Sequence, residues 1–283
     1  MNETAKGVLL VVMAGILWGT LGTFVRFAGD VDAMVIAFYR CLFATIAGIF
    51  IILLLRKLPE LKPIKSKKHL FLLGIFNAVL IIAIILSIQL STVANALLLF
   101  YTAPVIATFM SHIILKESVK KESYISLAMS MVGIILIMGN GFETNMWLGT
   151  VFGLIAGLSY ASAMVTGRYL RGYSGSISNF WQNAISTALL VFFINPFSVP
   201  ISVLPLLVLM GLTLSAVAPL LFLEALRRIK TQDASIIVML DPFTNIILAA
   251  LIFSEIPDLL TSLGGALILS AVLLQIVFKR KSL

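Results

Sequence analysis

The stretch GVLLVVMAGILWGTLGTFVR, residues 7–26, is the one from which the rest of the chain can be read. It carries a single charge, Arg26, at its far end, and its apolar residues surround it rather than forming one stripe. A bilayer core of roughly 30 Å needs about 20 such residues in a helix. Strands of a membrane barrel would alternate apolar and polar side chains, so a helix is the reading here. A signal peptide would need a strongly basic start and a small-x-small cleavage site. The stretch lacks both, and further apolar runs follow it.

Composition extends this reading to the whole chain. Of 283 residues, 60% are hydrophobic and 11% charged, against about 45–50% and about 25% in ordinary soluble domains. A soluble fold of this size cannot hide so much apolar surface. This excludes a secreted disulfide scaffold, a disordered chain and a typical cytosolic enzyme. The expected architecture is all-α, with ten transmembrane helices near residues 7–26, 33–55, 69–88, 94–115, 123–139, 147–168, 177–195, 203–224, 233–253 and 258–278. No stretch is long and polar enough for a separate soluble domain. The single cysteine, Cys41, excludes an internal disulfide and a cysteine metal cluster; it reads as a small packing residue.

The net charge of +8 belongs to the membrane rather than to nucleic acid. Eighteen of the twenty Lys and Arg fall at the two ends of the chain and in alternate links, with the longest basic link running from Arg56 to Lys68. Basic residues stay cytoplasmic. Both termini are therefore expected inside, in a multi-pass protein of the cytoplasmic membrane.

The chain also repeats itself. A shift of 142 lays residues 14–20 (AGILWGT) on residues 156–162 (AGLSYAS), and puts Arg26 on Arg168 and Phe38-Tyr39-Arg40 on Phe180-Trp181-Gln182. A shift of 138 puts Pro104 on Pro242 and Glu117 on Glu255. Residues 1–141 and 142–283 thus read as two five-helix repeats. Five is odd, so the second repeat enters the membrane from the opposite side. Inverted repeats are the architecture of many secondary transporters, with the substrate between them near mid-membrane.

These residues carry a family likeness. Trp18-Gly19, Tyr39-Arg40, Ala96 through Pro104 with Glu117, Gly133, Ala234 through Pro242 with Glu255, and Gly264-Gly265 form an ordered series. In that series the chain resembles the drug/metabolite transporter superfamily, specifically its EamA-type ten-helix members. The resemblance implies an inner-membrane metabolite carrier, often an exporter of amino acids or related compounds. It does not name the substrate. It also implies that an arginine at the position of Arg40 is common, which favours a structural or gating role there.

The candidate site residues are polar or aromatic groups inside apolar runs. Asp241 lies well within the ninth helix, just before Pro242 and one turn from Asn245; its repeat mate is Ala103. A carboxylate facing lipid there costs several kcal/mol, so it is expected to line a cavity and bind an amine or exchange a proton, unless it caps a broken helix. Arg40, whose mate is Gln182, offers a two-pronged contact to a carboxylate, or a structural pair. Trp18 and Tyr160 are mates and, with Tyr101, are candidate cavity walls or plain packing. Asn77, Gln182, Asn183 and Asn245 either line the cavity or hydrogen-bond between helices. For gating or coupling the candidates are Arg26, Arg168, Glu224 and Asp241. Arg26 could pair with Asp30 or Asp32, Arg168 with an acid inside, and Glu224 with Arg227 and Arg228 at i+3 and i+4. Gly15, Gly19 and Gly157 belong to small-xxx-small ridges for close helix approach.

No HExxH, Walker or nucleophile-elbow motif is present. The chain is expected to be no enzyme and to need no cofactor, metal or nucleotide. Its expected partners are a small-molecule substrate and the bilayer, with no nucleic acid, and its oligomeric state is left open. The expected function is alternating-access movement of a small metabolite, with export of an amino acid or similar zwitterion favoured. A multidrug or lipophilic-cation carrier, a channel and a membrane-embedded enzyme are the rivals, in that order.

Overall fold

The computed structural model describes residues 2–29, 31–61, 66–91, 93–138, 147–194, 201–254 and 259–281, and their regular structure is entirely helical. The helices are α1 (Glu3–Trp18), α2 (Leu21–Ala28), α3 (Ala33–Leu54), α4 (Lys67–Leu90), α5 (Val93–Phe100), α6 (Ala103–Ile114) and α7 (Lys121–Met138). They continue as α8 (Trp147–Tyr169), α9 (Gly175–Leu190), α10 (Leu204–Met210), α11 (Ala218–Leu226), α12 (Thr231–Ile237), α13 (Leu240–Phe253) and α14 (Leu259–Lys281). A π-helical turn, Gly211–Val217, joins α10 to α11. Among the described residues six helical segments are long and apolar enough to cross a membrane: Glu3–Phe24, Met34–Leu54, Lys67–Ser87, Trp147–Tyr169, Ile201–Leu226 and Thr231–Ile252. The chain is a multi-pass membrane protein.

Four of the spans expected as single helices are broken, and local chemistry explains three of the breaks through proline. Pro104 has no N–H for the Phe100 carbonyl one turn back. The helix stops at Phe100, and Thr102 closes the end by donating both its amide and its hydroxyl to Leu99 O, at 3.1 and 2.6 Å. Pro242 leaves the Val238 carbonyl in the same position, and that carbonyl accepts from Asp241 N at 3.1 Å in a tighter turn. Pro219 cannot serve the Ser215 carbonyl, and here the helix widens: Ala218 N reaches back five residues to Thr213 O. The fourth break, at Gly19-Thr20, is closed by the Thr20 amide and hydroxyl on Leu17 O, at 3.1 and 2.6 Å.

Two of the freed carbonyls meet glycines. A Cβ at Gly15 would lie 3.4 Å from Val238 O, and one at Gly157 would lie 3.3 Å from Phe100 O and 2.9 Å from Thr102 Oγ1. At Gly157 only a residue without a side chain lets the backbones approach so closely, whereas at Gly15 an added Cβ would stand at ordinary contact distance; Cα–H···O contacts accompany such crossings. Helix α1 thereby packs on α13, and α8 on α5. The other main pairings are α1 with α11, α4 with α8, α3 with α9, and α7 with α14. Val11, Ala14, Leu73, Ala161, Met164, Leu226 and Ile237 lie in one buried cluster where several of these helices meet.

Candidate functional site

The break before α13 sets Asp241 at the first turn of that helix, and the break after α5 leaves Tyr101 just outside α5. The two face each other: the Tyr101 hydroxyl donates to Asp241 Oδ1 at 3.0 Å. Tyr160, from α8, lies within electrostatic reach of the same carboxylate. Its ring stacks on Phe100 at 5.1 Å between centroids and meets Trp18 edge-on at 6.3 Å. Trp18 also leans on Phe222, at 5.4 Å. Asp241, Tyr101, Tyr160 and Trp18 are each half-buried although they lie at membrane depth. The result is one carboxylate bonded to one phenol and within electrostatic reach of a second, whose ring belongs to an aromatic cluster with Phe100 and Trp18. Such a group binds a cationic nitrogen through charge, hydrogen bonding and ring faces together. It can equally take up and release a proton.

Trp18 links this group to Arg40. Its indole N–H donates to Leu214 O in the π-helical turn at 3.0 Å, and the next residue, Ser215, accepts from Arg40 Nε at 3.3 Å. Arg40 has no acidic partner among the described residues, and its side chain is half-buried. Its terminal nitrogens make no hydrogen bond among the described residues. An uncompensated guanidinium at this depth is expensive unless an anion or water meets it.

The amides divide. Gln182 donates to Asn77 Oδ1 at 2.9 Å, and Asn77 donates to Ser186 Oγ at 2.8 Å. Both are buried between α4 and α9, and none of their hydrogen bonds among the described residues reaches the Asp241 group. They make a helix–helix bond of the kind worth about 1 kcal/mol in a membrane. Asn245 is half-buried beside Gly22 of α2, where an added Cβ would meet its Oδ1 at 2.5 Å.

Of the gating candidates, Arg168 and Glu224 lie at the basic end of the bundle. Arg168 Nε donates to Glu117 Oε1 at 2.8 Å, with both side chains about nine-tenths buried. Arg168 Nη1 also reaches Leu226 O, and Thr231 N donates to Glu117 Oε2 at 3.0 Å. The pair therefore ties α8 to the start of α12 and the end of α11. Glu224 accepts from Arg227 and Arg228 as their spacing predicts, and also from Gly175 N at 2.8 Å. Arg228 holds Glu3 at 3.0 Å, which brings α1 into the same network. On Arg228 burial pulls the guanidinium pKa down, but the bonds and charges of Glu224 and Glu3 outweigh it and keep it above the ordinary value. The Arg26 side chain, Asp30 and Glu255 lie outside the described residues.

Several residues of this region went unread in the sequence. Glu117 was visible only as a repeat marker, because an acid beside Lys116 and Lys120 looks like loop charge. Ser215 and Asn179 have unremarkable neighbours; only Pro219, one helical turn on, signals that the Ser215 carbonyl needs another donor. Among the described residues no group of three His, Cys, Asp or Glu could hold a metal ion.

With the geometry in view, comparison with known proteins decides the family. The model of the EamA-like transporter family matches the chain twice, over residues 5–139 and 147–277. The chain belongs to the EamA-like transporter family. Among similar EamA-like proteins, a transporter of uncharacterized function from Archaeoglobus fulgidus is 29% identical over 95% of each chain. The transporter YxxF of Bacillus subtilis, also uncharacterized, is 25% identical over 98% of this chain and 91% of its own. The pseudopaline exporter CntI of Pseudomonas aeruginosa is 25% identical over 94% of each. A crystal structure superposes with a TM-score of 0.85 over 98% of both chains at 17% identity, a likeness of fold. The protein is a membrane transporter of this family.

Proposed function

We propose that this EamA-like transporter is a secondary carrier that exports a small metabolite, an amino acid or a related zwitterion, by alternating access. The observation that carries the reading is the Asp241–Tyr101 pair, with Tyr160 within electrostatic reach of the carboxylate and in edge contact with Trp18. The repeat mate of Asp241 is an alanine, so the scaffold does not need the acid; a ligand or a proton does. In this reading Asp241 takes the substrate amine or a coupling proton, the aromatic faces take its apolar body, and Arg40 takes its carboxylate. The similarity to an exporter of pseudopaline supports the outward direction.

The mechanism needs two inverted five-helix repeats. The double family match supports that reading. So does the correspondence of contacts: the repeat shifts carry Gly15 against Val238 onto Gly157 against Phe100, and the α1–α11 pairing onto α8–α4. The basic end, cytoplasmic by the charge rule, is closed by the Glu117–Arg168 pair and the Glu224 network. We read these as the inner gate, shut in an outward-facing state.

The aromatic wall around a lone acid also favours a second reading, transport of lipophilic cations. Proteoliposomes loaded with labelled amino acids or with tetraphenylphosphonium separate the two. Saturable amino-acid flux that Asp241→Asn abolishes supports the first. Flux of tetraphenylphosphonium alone supports the second. Ion currents without saturation would mean a channel and sink both.

A further inference from the structure

Three successive carbonyls of the π-helical turn each accept a side-chain donor, one from α1 and two from α9. Leu214 O takes Trp18 Nε1 at 3.0 Å, Ser215 O takes Asn183 Nδ2 at 3.0 Å, and Ala216 O takes Asn179 Nδ2 at 2.7 Å. The cause lies in the sequence. In an α-helix Ser215 O would be served by residue 219, and in a π-helix Leu214 O would be served by the same residue. Residue 219 is proline and serves neither. With Ala218 N already committed to Thr213 O, the Leu214 and Ser215 carbonyls need outside donors or remain unpaired at membrane depth, where each unpaired group costs several kcal/mol. Asn183 is almost wholly buried, and the two hydrogens of its amide are shared among Ser215 O, Asn179 Oδ1 and Asn179 O, the last two at 2.9 Å each. The two asparagines thus form one unit against the turn.

The turn is also where Arg40 rests. Its only hydrogen bond among the described residues is to the Ser215 hydroxyl, and the hydroxyl direction follows the register of residues 214–216. We propose that Asn183 and Asn179 are positioning residues: they lock the π register, the register sets the Ser215 hydroxyl, and Ser215 aims the free end of Arg40 at the carboxylate of the substrate. This rests on the amino-acid reading above for its ligand, but the lock itself is a property of the protein alone. A single π turn inside an α-helix frequently marks a functional site, and here side-chain donors add to the main-chain bond from Ala218 N in holding it.

The test uses the purified full-length chain in detergent, as wild type, Asn183→Ala, Asn179→Ala and the donor-retaining Asn183→Gln. Amide hydrogen exchange over residues 211–222 reads the lock without any ligand. Thermal stability with L-leucine, leucinamide and 4-methylpentanoate reads the aim, since these share a side chain and carry both charges, the amine alone and the carboxylate alone. The expected result is faster exchange in both alanine variants, with apparent Kd for leucine and 4-methylpentanoate raised about tenfold and that for leucinamide within twofold. Asn183→Gln should recover most of both. Unchanged exchange overturns the proposal whatever the substrate is. Faster exchange with all three probes weakened alike also overturns it, because that is general loosening rather than lost aim. If the wild type ignores all three probes, the amino-acid reading of the preceding subsection falls, and the exchange result alone decides the lock.

Discussion

A carboxylate at the first turn of α13 needs a reason to be there, and among the described residues Asp241 has one hydrogen-bond partner, the Tyr101 hydroxyl. A hydrogen bond to a charged group contributes about 1.5–3 kcal/mol. Tyr101→Phe should therefore weaken apparent substrate affinity by tenfold or more while the protein still inserts and purifies normally. Asp241→Asn keeps the shape and removes the charge; transport should fall at least a hundredfold and what remains should lose its dependence on pH between 5 and 8. Initial rates in proteoliposomes across that range check both, and a normal pH profile in Asp241→Asn would take this residue out of the mechanism. Asp241 was legible in the sequence because an acid in an apolar run is costly. Tyr101 as its partner was not, because the two are 140 positions apart and nothing local couples them.

At the scale of elements, the broken spans carry the argument. Pro104 and Pro242 each free a carbonyl, and Gly157 and Gly15 sit against those carbonyls. Periodicity and composition gave the prolines and glycines but not the breaks, since an apolar run of about 20 residues reads as one helix whether or not its middle turn is tightened. Gly15→Leu and Gly157→Leu should each drive a side chain into opposing backbone, which cannot yield as a flexible side chain can. Both variants should lose transport and several degrees of thermal stability, and by a similar amount if the crossings are equivalent. A thermal scan of the two purified variants checks this. A tolerated Gly157→Leu beside a ruined Gly15→Leu would mean that the two crossings do different jobs.

For the whole molecule the question is which end is closed. The Glu117–Arg168 pair joins the first half of the chain to the second and is about nine-tenths buried. Breaking such a pair by removing one partner costs about 3–5 kcal/mol, because the other charge stays behind unpaired. Arg168→Gln should be destabilised by that order, and adding Glu117→Gln should restore part of the loss. Thermal unfolding of the single and double variants measures the coupling; additive losses would leave the pair without the gate role proposed for it. The inverted arrangement is tested separately: tags on the two termini should both face the cytoplasm, and termini on opposite faces would dismantle it.

From composition and hydropathy alone the chain had to be a helical membrane protein, because no soluble core of this size can absorb so many apolar residues. Family membership followed from an ordered series of weak motifs, and Asp241, Trp18 and Tyr160 stood out because each is polar or aromatic where apolar residues are the rule. What the sequence could not assign was partnership. Asn77 and Gln182 looked as eligible for the cavity as Tyr101, yet packing of α4 on α9 turned them onto each other. Arg168 needed an acid, and the chain offered several; the crossing of α6, α8 and α12 chose Glu117. Propensity and hydropathy act over a few residues, whereas the direction of a side chain across a bundle is set by helix rotation and by where each helix breaks. Only the assembled helices decide that.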